Sequence, residues 1–413
     1  MKILLLVVMS FFWILLFYYS ILAVAGVYHR LQKSKIKQLE SYPSVAILIP
    51  AHNEGLVIAD TLHAMSKINY PGELNIYVLD DASSDNTEEI ASSYENLYKR
   101  IHYVKVPPGS PKGKSRVLNY GLSISQSDYF LVYDADNQPE PQAVKLLVEK
   151  AETTSNAAGA VGYVKTINAN KNLLTRMIAI EFQVFQLLMQ SGRWTLFRLG
   201  TLAGTNMLLK RSILEEMGGY DPYALAEDSE LTIRVTSKGF TLPVVHDAKT
   251  WEQEPEDIKV FIRQRTRWLI GNIYILEKTF KDFSFWKGRT FFHSFQHVLT
   301  YLFFVFFLLF SNTWFVLSLI GFDLPKVDSP LLMFWFMSYV VYSFQILSSM
   351  VLDKTTSPYN VIVGIIMYFT YAQLFLILLT KSFYSYTINR IKNNTIEWDK
   401  TRRFKDTKEK NAA

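Results

Sequence analysis

Apolar positions are spread unevenly along this chain. Over residues 3–27 they run almost without a break. At about 1.5 Å of rise per helical residue, that run can cross a hydrocarbon core of about 30 Å. A secretory leader would carry an apolar segment of only about 7–15 residues, ending at a small-residue cleavage site. The run therefore predicts a retained anchor helix. A second apolar mass fills the C-terminal third and predicts crossings near residues 298–320, 331–352 and 360–380. Between them, short apolar runs alternate with helical patterns. Strands are predicted over 45–50, 75–80, 101–106 and 128–134, and helices over 55–65, from Asn86, and over 113–125. Strands separated by helices predict a mostly parallel α/β sheet. Such sheets bind ligands at the carboxyl ends of their strands. Two further stretches, 173–188 and 260–276, carry the pattern of amphipathic helices, suited to a membrane surface or to burial against the α/β unit.

Composition sharpens the division. Across 413 residues, 49% are hydrophobic and only 19% charged, against roughly 25% charged in soluble domains. Cysteine is absent, which excludes disulfides, thiolate catalysis and cysteine-built zinc sites. The net charge of +6 matters through its placement. His29, Arg30, Lys33, Lys35 and Lys37 follow the first apolar run, and only Lys2 precedes it. The bias predicts a cytoplasmic α/β unit. Three later crossings would then leave the tail outside, yet it carries Arg390, Lys392, Arg402, Arg403, Lys405, Lys408 and Lys410. A re-entrant or interfacial segment, a tight hairpin over 291–322, or a failure of the charge rule would each resolve the conflict. Nucleic acid is a poor partner for this charge, because much of it flanks apolar segments and meets lipid or sets topology.

Chemistry is expected just after each strand. The first is followed by His52, Asn53 and Glu54, the second by Asp80 and Asp81, and the fourth by Asp134, Ala135 and Asp136. Any one carboxylate there is as well explained as a helix cap, and Asp85 and Asn86 suit that role. Together the three strand ends make an acidic cleft. Asp134-x-Asp136 suits a hard divalent cation, which takes few protein carboxylates and completes its shell with water and phosphate oxygens.

At these residues the chain resembles a known family. Asp81, Asp134-Ala135-Asp136, Ala226-Glu227-Asp228 and Gln264-Arg265-Thr266-Arg267-Trp268 look like the motif series of processive family-2 glycosyltransferases, the membrane synthases of cellulose, mixed-linkage β-glucan, hyaluronan and poly-N-acetylglucosamine. Lys114 to Asn119 resembles the family's helix near the nucleotide. The sequence departs from the pattern at Ala226, where Thr is usual, and at Ala82, where Gly is frequent. The resemblance implies a GT-A type mostly parallel sheet with flanking helices, plus interfacial amphipathic helices and a helical transmembrane region. Its units would be a transmembrane helix (1–28), the cytoplasmic GT-A domain (42–255), interfacial helices with the Q-x-x-R-W element (256–290), channel-forming helices (291–381) and a basic tail (382–413).

The same resemblance implies the roles. Asp228 would be the catalytic base, with a salt-bridged helix-start acid as its bland alternative. Asp134 and Asp136 would hold Mg²⁺ or Mn²⁺. His52, Glu54, Asp80, Asp81, Lys114, Asp134, Gln264 and Arg267 would bind UDP, although His52 is equally well read as a loop residue. Gly204, Thr205, Asn206, Glu227 and Trp268 would meet the acceptor. Without its motif, Trp268 would read as an anchor at the bilayer surface. The implied activity is polymerisation of a UDP-sugar, UDP-glucose into a β-glucan before N-acetylglucosamine, with translocation of the growing polysaccharide. The rival within the fold moves one sugar onto a lipid carrier. A nucleotide-binding transporter is disfavoured because the chain has no Gly-x-x-x-x-Gly-Lys-Ser/Thr loop. The sequence identifies no accessory membrane subunit.

Overall fold

The computed structural model describes residues 2–32, 38–322, 330–392 and 403–404. Lys33, Lys35, Lys37, Arg402, Lys405, Lys408 and Lys410 lie outside the described residues. The four expected strands form β1 (Val45–Ala51), β2 (Leu74–Asp80), β3 (Ile101–Lys105) and β4 (Tyr129–Val132). They pair in parallel in the order β3-β2-β1-β4. β1 is central because both of its faces are apolar: Val45, Ile47 and Ile49 enter one core layer, Ala46 and Leu48 the other.

Four further strands, which the apolar pattern does not announce, extend this sheet to eight. They are β5 (Gln138–Pro139), β6 (Gly159–Thr166), β7 (Met207–Lys210) and β8 (Val244–Glu252). β7 runs antiparallel between β4 and β6, β8 runs parallel to β6, and β5 closes the edge antiparallel to β8. The result is a mostly parallel GT-A sheet with helices on both faces.

The anchor helix Lys2–Leu31 packs backbone to backbone on the segment that follows β6. A Cβ on Gly26 would lie 2.4 Å from the Leu188 carbonyl oxygen, and one on Gly192 2.1 Å from that of Leu22. Among the described residues, two helices are able by length and composition to cross a membrane, Leu6–Leu31 and Thr290–Phe310, or three if the bent pair Pro358–Phe369 and Tyr371–Ile391 is one span. The expected crossing at 331–352 forms a helix, Pro330–Asp353, whose last residue pairs with Lys165 of β6 at 3.0 Å.

The expected crossing at 360–380 takes a different form. It bends by 41°, and its two ends are tied to the two amphipathic stretches. Asn360 accepts from Arg176 at 2.5 Å, and Arg390 pairs with Glu277 at 2.7 Å. The amphipathic stretches, Leu173–Gln183 and Ile258–Lys281, are correspondingly not bare. Met177 and Ile180 pack with Ile346, Met350, Val363 and Met367, and Ile178, Phe261 and Leu269 with Val305, Leu378 and Leu379.

Candidate active site

A cavity of about 530 Å³ opens at the carboxyl ends of β1, β2 and β4 and extends to Tyr19 and Tyr301 on the apolar helices. That volume falls within the usual range for small-molecule sites, about 300–1,000 Å³. Of the residues singled out from the sequence, His52, Glu54, Asp81, Lys114, Asp134, Asp136, Gly204, Thr205, Glu227, Asp228, Gln264, Arg267 and Trp268 line it. Asp80 and Asn206 are not among the lining residues. Asp80 is the buried last residue of β2, and its carboxylate organises the following turn, accepting from Ser83 N at 3.0 Å and Tyr103 OH at 2.7 Å. Asn206 is wholly buried and stitches strands together, accepting from Tyr133 OH at 2.9 Å and donating to the Ala248 carbonyl at 2.8 Å. Asn119 likewise holds the Tyr220 backbone.

Lys114 opens the helix after β3 and ties the centre together. Its Nζ donates to Asp134 Oδ1 and to the Gly204 carbonyl, each at 2.7 Å, and lies 3.2 Å from Glu227 Oε1. Burial alone would lower the ammonium pKa; Asp134 and Glu227 outweigh it and raise the value, so the charge persists. Gly204 faces both Lys114 Nζ and Asp228 Oδ2 and has φ +76°, a backbone conformation that favours glycine.

Asp228 sits in the first turn of helix Glu227–Ser237 and accepts from Ser229 N at 2.7 Å. Burial first, and then the neighbouring Glu227, push its carboxyl pKa up to about 7, where a general base exchanges a proton near neutral pH. The upstream Ala226 presents its Cβ to Gly271, so its small size serves helix packing.

Asp136 is 5% exposed. Its Oδ2 accepts from Gln253 N at 3.1 Å and pairs with Arg403 Nη1 at 2.8 Å, while its Oδ1 is buried with no hydrogen-bond partner. Among the described residues no three His, Asp or Glu side chains form a ready-made metal cage. The donor set still suits a hard cation held by Asp134 and Asp136 and completed by substrate phosphate, since an orphaned buried carboxylate oxygen is what such an ion would satisfy.

Asp81 pairs with Arg116, and its carbonyl meets His52 Nδ1 at 2.7 Å. The following Ala82 has φ +57°, which explains why glycine is frequent there; alanine carries a cost of about 1 kcal/mol in that region. Trp268 lies near-parallel to Phe182, with ring centroids 6.4 Å apart, and Arg265 sits 4.3 Å over its ring. Arg265 is in turn held by Glu181 at 2.6 Å. The indole is thus braced at the cavity wall.

Three residues of the site carry no signal in the strand-end pattern. Glu252 and Glu254 come from the end of β8, and burial raises both carboxyl pKa values, that of Glu254 to about 7. Arg403, read in the sequence as one more tail charge, reaches the cleft beside Asp136 and Glu54. Phe404 is clamped there by the Gln253 side chain, whose Oε1 accepts from Phe404 N at 2.7 Å and whose Nε2 donates to the Phe404 carbonyl at 2.6 Å.

A GT-A sheet whose strand ends gather a lysine-tied carboxylate pair, a buried late Asp and an arginine-rich rim defines a glycosyltransferase. The profile of "Glycosyltransferase like family 2" matches residues 43–271, and the chain belongs to that family. It is 38% identical over 410 residues, 97% of both chains, to the "Probable glycosyltransferase YdaM" of Bacillus subtilis (strain 168). It is 26% identical over 275 residues to a poly-beta-1,6-N-acetyl-D-glucosamine synthase of Staphylococcus epidermidis, covering 66% of this chain and 65% of that one. It is 28% identical over 233 residues to a beta-monoglucosyldiacylglycerol synthase of Trichormus variabilis, covering 56% of this chain and 49% of that one. Among solved structures, a mannosyltransferase from Pyrobaculum calidifontis in complex with GDP-Man and Mn²⁺ shares the fold with a TM-score of 0.59 at 17% identity, covering 87% of this chain and 97% of that one.

Proposed function

We propose that the protein is an inverting, processive membrane glycosyltransferase that polymerises sugar from a UDP-sugar, UDP-glucose into a β-glucan being the first choice and N-acetylglucosamine the second, and passes the chain across the membrane. One observation carries this reading. A single cavity runs from the carboxylate floor, past Asp228 and Trp268, to Tyr19 and Tyr301 on the two helices able to cross a membrane.

The chemistry is divided between the two ends of the cleft. His52, Glu54 and Asp81 would receive the nucleotide, and Lys114, Gln264, Arg267 and Arg403 would face its diphosphate. Arginine suits phosphate because its planar fork donates paired hydrogen bonds. A divalent cation held by Asp134 and Asp136 would supply Lewis-acid neutralisation of that diphosphate. Asp228 takes the proton of the acceptor hydroxyl while that oxygen bonds the anomeric carbon. The bond from that carbon to the β-phosphate oxygen breaks, UDP leaves with the electron pair, and an α-linked donor becomes a β-linked product. Trp268 and Glu227 would hold the acceptor end in line. Misplacement by about 1 Å is enough to lose roughly 10²-fold in rate.

Incubating the purified protein with single UDP-sugars and digesting the product with linkage-specific hydrolases tests the reading. UDP-glucose is expected to give a β-glucanase-sensitive polymer. A product resistant to β-glucanase and cleaved by a β-hexosaminidase would move the assignment to N-acetylglucosamine, and absence of polymer from any UDP-sugar would overturn it.

A further inference from the structure

One buried charge in the Q-x-x-R-W element has no part in the transfer chemistry. Arg265 follows Gln264 in helix Ile258–Lys281, and its side chain is 11% exposed. Residues three and four apart share one face of a helix, so Phe261, Arg265 and Trp268 form one stripe. The guanidinium lies 5.3 Å from the Phe261 ring and 4.3 Å from the Trp268 ring, and Phe182 of the neighbouring helix closes a third side at 5.4 Å. Its Nη2 is held at 2.6 Å by Glu181 Oε2, and its Nε is buried with no hydrogen-bond partner. Glu254 also faces it, with one buried carboxylate oxygen unpartnered. A charge buried to this degree is costly unless it is paired. Here Glu181 and three ring faces do the pairing.

The contact that holds Arg265 continues into the apolar helices. Glu181 Oε2 accepts a second hydrogen bond, from Tyr371 OH at 2.6 Å, and the Tyr371 ring lies 5.5 Å from Phe261. Tyr371 is the first residue of helix Tyr371–Ile391, at the 41° break from Pro358–Phe369. Sharp kinks usually sit at proline or glycine, or where a side chain enters the hydrogen-bond ladder. Neither proline nor glycine lies within four residues of Thr370. Thr370 Oγ1 instead donates to the Ile366 carbonyl at 2.8 Å, and the tyrosine after it is fastened to Glu181. Side chains therefore hold this break. The π-helical turn Val184–Gln190 starts three residues beyond Glu181, and such turns are rare and concentrate at functional sites.

We infer that Arg265 is a positioning residue for the acceptor, seating the Trp268 indole, and that Glu181 and Tyr371 make this seat depend on the bend of the C-terminal apolar helices. The inference rests on the reading of Trp268 as the acceptor platform. A guanidinium stacked on an indole and shut away from water is attracted to the ring face, and it fixes the plane of that ring. With the ring fixed, the acceptor hydroxyl meets the anomeric carbon in line. With the ring loose, water competes and the donor is hydrolysed instead. Because Arg265 acts through the indole, it sets the partition between extension and hydrolysis and leaves donor affinity alone.

The test measures polymer yield, UDP-sugar hydrolysis and donor KM for the full-length protein in proteoliposomes. Arg265→Met, Arg265→Lys and Tyr371→Phe are each made alone and combined with Trp268→Ala. Arg265→Met should lower polymer yield roughly tenfold with hydrolysis and donor KM unchanged, which is within the worth of a desolvated cation–π contact. Arg265→Lys keeps the charge and should fall between. Tyr371→Phe removes only a hydroxyl and keeps the packing, and it should lower polymer yield roughly threefold, within the net worth of one hydrogen bond. In the Trp268→Ala background none of the three should lower polymer yield further, because residues that act through a shared partner are not additive. Losses that multiply in that background, an equal loss of hydrolysis, a raised donor KM, or wild-type polymer yield from Tyr371→Phe would overturn the inference. Trp268→Ala alone reports on the underlying reading. If it loses polymer selectively, the platform stands and multiplying losses count against the Arg265 arrangement only; if it loses polymer and hydrolysis equally, the platform falls and the inference with it.

Discussion

Replacing Asp228 by Asn keeps the shape of the side chain and removes its ability to take a proton. Its carboxylate meets Ser229 N, whereas the lysine tying the cleft together is held by Asp134, Gly204 and Glu227. Donor binding should therefore survive in Asp228→Asn while turnover falls about 10²–10⁴-fold, the usual worth of a positioned base. The wild-type pH profile gives a second magnitude. With a carboxyl pKa of about 7, the ionised base is about one tenth of the enzyme at pH 6 and about nine tenths at pH 8. Activity should thus rise roughly tenfold across that interval and fall as pH drops through 7. Neutralising the neighbour in Glu227→Gln removes a like charge, favours ionisation of Asp228 and moves this acid limb to lower pH. The assay is UDP release at saturating donor from pH 5.5 to 8.5, with UDP affinity measured in parallel. A flat profile, an acid limb that moves upward in Glu227→Gln, or a loss of UDP affinity in Asp228→Asn matching the loss of turnover would refute the assignment.

Asp136→Asn should abolish turnover while the protein still folds, because a hard cation loses an ionised ligand; normal polymerisation in excess Mg²⁺ or Mn²⁺ would contradict this. Trp268→Ala should cut polymer yield on the order of 10²-fold and leave hydrolysis of UDP-sugar to UDP and free sugar nearly intact; equal losses in both readouts would return the indole to a structural part. Arg403→Ala should raise the donor KM roughly tenfold, the scale of one hydrogen bond between charged groups, without moving the acid limb set by Asp228; an unchanged KM would exclude a diphosphate contact.

The parallel half of the sheet was legible because β1 and β4 are buried on both faces and read as continuous apolar runs, and β2 is apolar at all but Asn75 and its closing Asp80. The second half was not. β6 carries two glycines and a lysine, Gly159, Gly162 and Lys165, and β8 alternates Asp247 and Lys249 with buried residues, so neither resembles a core strand. Glu252 and Glu254 were lost with β8. Asp80 and Asp81 are adjacent in sequence, and strand alternation turns one into the turn and the other to the cavity, a difference that spacing does not reveal. Arg403 was legible only as a charge, because its partners Asp136 and Glu54 lie far away in sequence. The bend within 358–391 and the contacts of Asn360 with Arg176 and of Arg390 with Glu277 are likewise invisible in an unbroken apolar pattern.

The central claim is that this site extends a chain, and the distribution of product length at low conversion tests it most directly. The purified protein in proteoliposomes would be given labelled UDP-glucose and, separately, labelled UDP-N-acetylglucosamine, and stopped after a small fraction of donor is consumed. A processive synthase predicts long polymer already present beside unused donor, with its length independent of conversion. A product carrying one sugar on a lipid, or oligomers that lengthen in step with conversion, would contradict it.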